Sequence, residues 1–311
     1  MKYFTPLYLA VALLAACQPQ PSNTPSSESK ATTSTNTSSS TQPTSSAQHL
    51  YYSNLQDEAT QNEVKHALLK AGIAAPRVDA FLANVRQFNT SVEGKQLVKN
   101  NFVMSQSALP HYDEQVLQEI WSQKNGQFVG YNCRITSYDL MKDLIKIDKK
   151  AEKDHSILFV DAESLQHSPH KVFTAQEEEK FFTLYAPIQT PMSKDIAVHE
   201  QSIVQAFQAR GISFPAAQQS QAARLISVFK HSAIDGEESQ LFVGHIGVLV
   251  PYENGYLFVE KLAFQAPYQA TKFANKQDLY DYLMKMYRPE VETDTALPIV
   301  MEDDHLLIKP A

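Results

Sequence analysis

Cysteine is nearly missing from these 311 residues; only Cys17 and Cys133 occur. A network of disulfides is therefore excluded, and so is a zinc site built on paired cysteines. Basic charge is short as well: 27 Lys and Arg stand against 34 Asp and Glu, a formal charge of −7 with no basic stripe, which argues against nucleic acid as a partner. After the first seventeen residues no apolar run approaches the ~18 residues that a membrane-crossing helix needs. Neither a glycine-rich phosphate loop nor a calcium-loop pattern is present. "HSPH" places His167 and His170 close together with no cysteine beside them, a poor metal pattern. No metal and no cofactor is expected. Glycine is also scarce, nine in all, well below the ~7% of an average chain, so its positions carry information.

What is present begins with a leader. Met1 and Lys2 precede "YFTPLYLAVALLAA", a run of signal-peptide length that is too short to span a bilayer. It ends in "LLAAC". Small residues before a cysteine at this point resemble the lipobox of bacterial lipoproteins. That resemblance implies a signal peptide over 1–16, cleavage before Cys17, and acylation of its thiol and amine, with palmitate among the acyl groups. More than one acyl chain suffices for stable attachment. The membrane is then a partner through the lipid on Cys17, and the globular part is expected in the cell envelope, outside the cytoplasm. Residues 17–49 are Ser and Thr with Pro and Gln and almost nothing apolar, which predicts a disordered tether. Such a coil spans roughly 30 Å on average and about 110 Å when taut.

From Leu50 the composition becomes that of a folded domain. Apolar residues at helical spacing predict helices in "NLQDEATQNEVKHALLKAG", in "APRVDAFLANVRQFN" with Pro76 near its start, and in "HYDEQVLQEIWSQ" around Trp121. A further helix is expected over 134–147, a short strand at "SILFVD", and two more helices near "EEEKFFTLYAPI" and "SKDIAVHEQSIVQAFQARG". "ARLISVFKHS" reads as a strand. "SQLFVGHIGVLVPYENGYLFVEKLAFQ" reads as a hairpin turning at Asn254-Gly255, and "NKQDLYDYLMKMYRPE" as a closing helix. Helices followed by antiparallel strands indicate an α+β fold, with a helical lobe over 50–125 and a core over 126–311.

Acylation of Cys17 would leave Cys133 with no second cysteine in the chain to bridge to. A lone thiol in the envelope is either a buried small hydrophobe or a reactive group. Its expected place at a helix mouth favours the thiolate, because the macrodipole and the unpaired N–H groups stabilise an anion there, and the same groups can form an oxyanion hole. A thiolate nucleophile needs a base, most often histidine. His245 in "FVGHIGVLV" follows a glycine and opens an alternating strand; Glu260, fifteen residues on in the paired strand, is placed to orient it. Gly130 and Gly244, next to these positions, permit close backbone approach. Gln127 and Tyr131 are candidates for oxyanion support, Gln265 for orienting His245, and Arg134 for binding a substrate carboxylate. His231 is a candidate neighbour at the sheet edge.

A cysteine at the start of a helix, a later "GHIGVLV" strand and an acidic residue on the next strand resemble the papain-like amidohydrolases of the CHAP and NlpC types. The resemblance implies a papain-like core with Cys133 as nucleophile, His245 as base and Glu260 as orienting group. Asn132 stands where the NlpC type has aspartate, no Ser-Gly follows Cys133, and Leu262 stands where the CHAP type often has asparagine. The phrases "YYSNLQDEATQNEV", "GYNCRIT", "LISVFKHS" and "FVGHIGVLVPYENGYLFVEKLAFQAPYQATKF" resemble a family of uncharacterised bacterial lipoproteins, domain-of-unknown-function family 4300. Together these readings predict a membrane-anchored cysteine hydrolase cleaving an amide bond, with peptidoglycan peptide as the cell-wall substrate. The alternatives are a catalytically idle surface lipoprotein that binds a ligand or partner on the same fold, and transglutaminase-like acyl transfer.

Overall fold

Capping residues and apolar periodicity together set the helix boundaries. The structure, a computed structural model, describes residues 49–149, 157–235 and 238–309. The leader, Cys17 and nearly all of the tether lie outside the described residues. Helix α1 (Glu58–Lys70) starts where the Asp57 carboxylate accepts the Thr60 amide, and buries Val64, Ala67 and Leu68. Helix α2 (Ala75–Ser91) has Pro in its first turn and buries Val78, Phe81, Leu82, Val85 and Phe88. Helix α3 (Glu114–Asn125) is capped by Asp113, and α6 (Ala175–Tyr185) by a reciprocal box between Thr174 and Glu177. Helix α7 (Ile196–Arg210) ends at Gly211 in the left-handed region, and α8 (Lys276–Tyr287) begins at Asn275. Between them lie α4 (Cys133–Met141) and α5 (Phe159–His167).

The strands are β1 (Tyr51–Ser53), β2 (Val103–Met104), β3 (Lys146–Ile147), β4 (Ile188–Thr190), β5 (Ile212–Ser213), β6 (Arg224–Asp235), β7 (Glu238–Tyr252), β8 (Gly255–Lys261), β9 (Tyr268–Phe273), β10 (Ile299–Glu302) and β11 (His305–Leu306). Nine of them form one antiparallel sheet in the order β11-β10-β6-β7-β8-β9-β1-β2, with β4 added to β7; β3 and β5 pair separately. The protein is therefore α+β, with eight helices among the described residues. Residues 50–125 supply β1 and β2 to the sheet as well as α1–α3; β1 lies beside β9.

Alternation along the strands divides the apolar side chains between two faces. Val248, Val250, Leu257 and Val259 join the large cluster that also holds α1–α7. Leu249, Phe258, Ile226 and Val228 join the smaller cluster built with Leu279, Tyr282, Leu283 and Tyr287 of α8. The sheet is thus covered by helices on both sides.

Two local expectations are corrected. Residues 159–161, expected in a strand, open α5, because a short apolar run fits a buried helix end as well as a strand. The helix expected over 134–147 stops at Met141, and the chain then enters β3. The hairpin turns where expected, in a tight turn that contains Asn254 and Gly255. Tyr252 pairs with Gly255, so the loop is Glu253-Asn254, and it is Glu253 that takes a positive φ of 50°. Gly255 is needed for a different reason: a Cβ there would stand 2.3 Å from the Phe273 carbonyl oxygen on the neighbouring strand. Gly255→Ala should therefore lower stability by about 1–3 kcal/mol. A lowered urea midpoint with unchanged m-value checks it.

Candidate functional site

The mouth of α4 is built from three consecutive side chains. Asn132 caps the helix, its Oδ1 accepting the Ile135 amide at 3.0 Å, while its Nδ2 donates to Asp161 Oδ1 at 2.8 Å. Cys133 follows as the first helical residue. Arg134 then donates to Asp161 through Nε at 2.9 Å and Nη2 at 2.6 Å, and through Nη1 to the Val243 carbonyl at 3.0 Å. One turn on, Ser137 Oγ reaches the Ile246 carbonyl at 3.3 Å. Every residue of α4 is buried, and the Cys133 side chain has 0% exposure. Cys133 packs in the large cluster; Tyr185, whose hydroxyl donates to the Arg134 carbonyl at 3.2 Å, lies near it. Burial, with Cys133 adding to it, pushes the Tyr185 phenol well above its ordinary range.

His245 sits at a bulge in β7. Val228 pairs with His245 and Phe229 with Val243, so Gly244 is the extra residue. Cross-strand neighbours share a face, which puts the imidazole with Val228 on the α8 side. There it stacks on Tyr287 with ring centroids 4.9 Å apart at 20°. Its Nε2 is 2.6 Å from Glu260 Oε2. The other carboxylate oxygen, Oε1, accepts the Tyr282 hydroxyl at 2.8 Å and Gln269 Nε2 at 3.3 Å, and Tyr112 donates to Gln269 Oε1 at 3.2 Å. Burial first, then the Glu260 carboxylate, push the Tyr282 phenol well above its usual range. Both His245 and Glu260 have 0% exposure. Chemically this is an imidazole held in one orientation by a carboxylate that is itself held by two donors. That arrangement can orient a base or anchor a helix.

Of the residues singled out by sequence, His245 and Glu260 are brought together. Cys133 is buried in the large cluster, and the imidazole stacks on Tyr287, which belongs to the smaller one. None of these three side chains is exposed: every residue of α4 is buried, and Tyr287 of α8 packs on His245. Gln127 is exposed in the turn after α3. The Tyr131 hydroxyl lies 2.6 Å from Ser168 Oγ, and Gln265 Nε2 donates to Glu114 at 2.6 Å, not to His245. Arg134 is committed to Asp161 and Val243 and does not present its guanidinium to a substrate. His167 Nδ1 contacts the Glu163 carbonyl at 3.0 Å, and His231 accepts the Ala296 amide.

Asp161, Gln269, Tyr282 and Tyr287 escaped the sequence reading. Asp161 was hidden by the strand-like run before it. The tyrosines of α8 lie on its apolar stripe and read there as plain core; only their hydroxyls, unusual in such a stripe, signalled a buried acceptor.

One protein family, described as Domain of unknown function (DUF4300), matches residues 51–307. No curated relative and no solved structure matches the chain. Among the described residues no helix is long and apolar enough to cross a membrane.

Two substitutions separate the supports of this region. Asp161→Ala strands the buried Arg134 guanidinium and should cost about 3–5 kcal/mol. Tyr282→Phe removes one donor from Glu260 and should cost about 1–3 kcal/mol. Urea unfolding followed by circular dichroism measures both, and the first loss should exceed the second.

Proposed function

We propose that this chain, which belongs to the family described as Domain of unknown function (DUF4300), acts in the bacterial cell envelope by binding a ligand or partner and not by cleavage. The tether and an acylated Cys17 would hold it to the membrane. One observation carries this choice: Cys133, His245 and Glu260 have 0% exposure, Cys133 inside the large cluster and His245 against Tyr287 of the smaller one. A thiolate attacking an amide needs the carbonyl carbon within about 3–3.5 Å. A site closed to solvent offers no such approach. On this reading α4, set against the antiparallel sheet, keeps the resemblance to a papain-like core, while its polar residues serve to hold layers together. Asp161 ties α5 to α4, and Glu260 ties α8 to the sheet through Tyr282.

A second reading, the amide hydrolase, is favoured by a different observation. Glu260 takes His245 Nε2 at 2.6 Å, as an orienting carboxylate would, and the first two turns of α4 are bonded to β7 on both sides of His245, Arg134 to Val243 and Ser137 to Ile246. On this reading α8 lifts and α4 shifts against β7 so that sulfur and imidazole meet: His245 takes the Cys133 proton, the thiolate attacks an amide carbonyl of the wall peptide, His245 returns the proton to the departing amine as the C–N bond breaks, and water hydrolyses the thioester.

Thiol chemistry separates the two. Iodoacetamide is added to the folded protein from pH 6 to 9, and the peptide carrying Cys133 is followed by mass. Under the binding reading, alkylation is at least about a hundredfold slower than in urea, since it waits on local opening. Purified wall fragments remain uncut. Alkylation faster than that of a model thiol with an inflection below about 8.5, or cleavage or amine incorporation lost in Cys133→Ala, would overturn the binding reading.

A further inference from the structure

Two more buried histidines stand on the other side of the sheet from His245. His231, in β6, is 7% exposed and His199, in α7, is fully buried; their ring centroids are 4.3 Å apart. His199 has Nε2 2.8 Å from the Ser193 carbonyl and Nδ1 2.8 Å from Thr190 Oγ1. A carbonyl only accepts, so Nε2 carries the proton and Nδ1 takes the threonine hydroxyl. His231 is fixed through Nδ1, which accepts the backbone N–H of Ala296 at 3.0 Å. A backbone N–H only donates, so Nδ1 bears no proton and the ring is neutral.

We infer that the His231–Ala296 hydrogen bond is an acid-released latch on residues 288–298, the segment that joins α8 to β10. Protonation at Nδ1 replaces the acceptor with a second donor aimed at the Ala296 amide, and it does so against the face of another imidazole. The groups around His231 offer no compensation. From α7 comes His199, and from β4 comes Thr190, which is bound to His199. Leu241 of β7 lies opposite in register. In the segment itself Glu290, Glu292 and Asp294 are exposed, with Glu292 3.3 Å from Lys194. Burial first, then His199, lower the His231 pKa from its usual value. A folded pKa below the unfolded value near 6.5 means that the unfolded chain binds more protons. The latch therefore contributes its full stability above about pH 6.5 and loses it as pH falls toward the folded value. The segment starts one residue after Tyr287, so its release reaches the end of α8 that covers His245. The latch does not depend on whether His245 is catalytic.

Amide hydrogen exchange on the full chain from pH 7.5 to 5, corrected for intrinsic exchange, tests it. Protection of Ala296 should fall about tenfold for each pH unit separating the folded from the unfolded titration of His231. In His231→Asn, whose amide oxygen supplies an acceptor that does not titrate, it should stay flat. Protection that is pH-independent in the natural chain, or that falls equally in His231→Asn, overturns the latch. Ring nitrogen shifts of the natural protein give a test that needs no variant: at pH 7.5 the proton of His231 must be on Nε2, and a proton on Nδ1 is incompatible with the proposal.

Discussion

A carboxyl group with no exposed surface, that of Asp161, organises the middle of this protein. It receives Asn132 and the Nε–Nη2 edge of the Arg134 guanidinium, so the cap of α4 and its first turn are fixed from α5. The third arm of Arg134 ends on Val243 and fixes the same helix to the sheet. Taking a charged pair out of water is costly unless the remaining donors and acceptors are filled. Here the bidentate geometry, the amide of Asn132 and the carbonyl of Val243 fill them. Cys133 stands in the middle of this joint.

The α8 face repeats the principle with a different set of groups. Glu260 is the acceptor for His245, Tyr282 and Gln269, and Tyr287 closes over the imidazole. Polar residues at such positions cost more than apolar ones if any partner is lost, and in exchange they admit only one register of helix on sheet. A histidine and a glutamate on adjacent strands therefore look the same in sequence whether they serve a reaction or a docked helix. What distinguishes the cases is access from solvent, and here both side chains are fully buried.

Much of the fold was legible because long amphipathic segments report their own geometry. The stripes of α1 and α2, the positions of α6 and α7 and the alternation in β7 and β8 all match the structure. The His245–Glu260 contact was legible for the same reason, since a tight hairpin fixes which residues face each other. What failed was short or non-local. β2, β3, β5 and β11 have two residues each, too few for a period, and exist because a distant strand offers partners. Asp161 looked like the end of a strand because its partner lies 27 residues earlier. The depth at which a side chain is buried is likewise decided by packing between segments remote in the chain, so the full burial of Cys133 and His245 left no mark in either local motif.

The same remoteness bears on how the chain reaches its native state. The donors of Arg134 find their acceptors at residues 27 and 109 positions later. As the polypeptide emerges from its N-terminal end, α4 can coil at once, yet its buried guanidinium has no home until β7 has followed. Until then a charged helix must stay hydrated, and the central layer cannot close. Loop-closure entropy must be overcome before such contacts form, so assembly is expected to be late and collective, with the helix earliest in local preference among the last to be sealed.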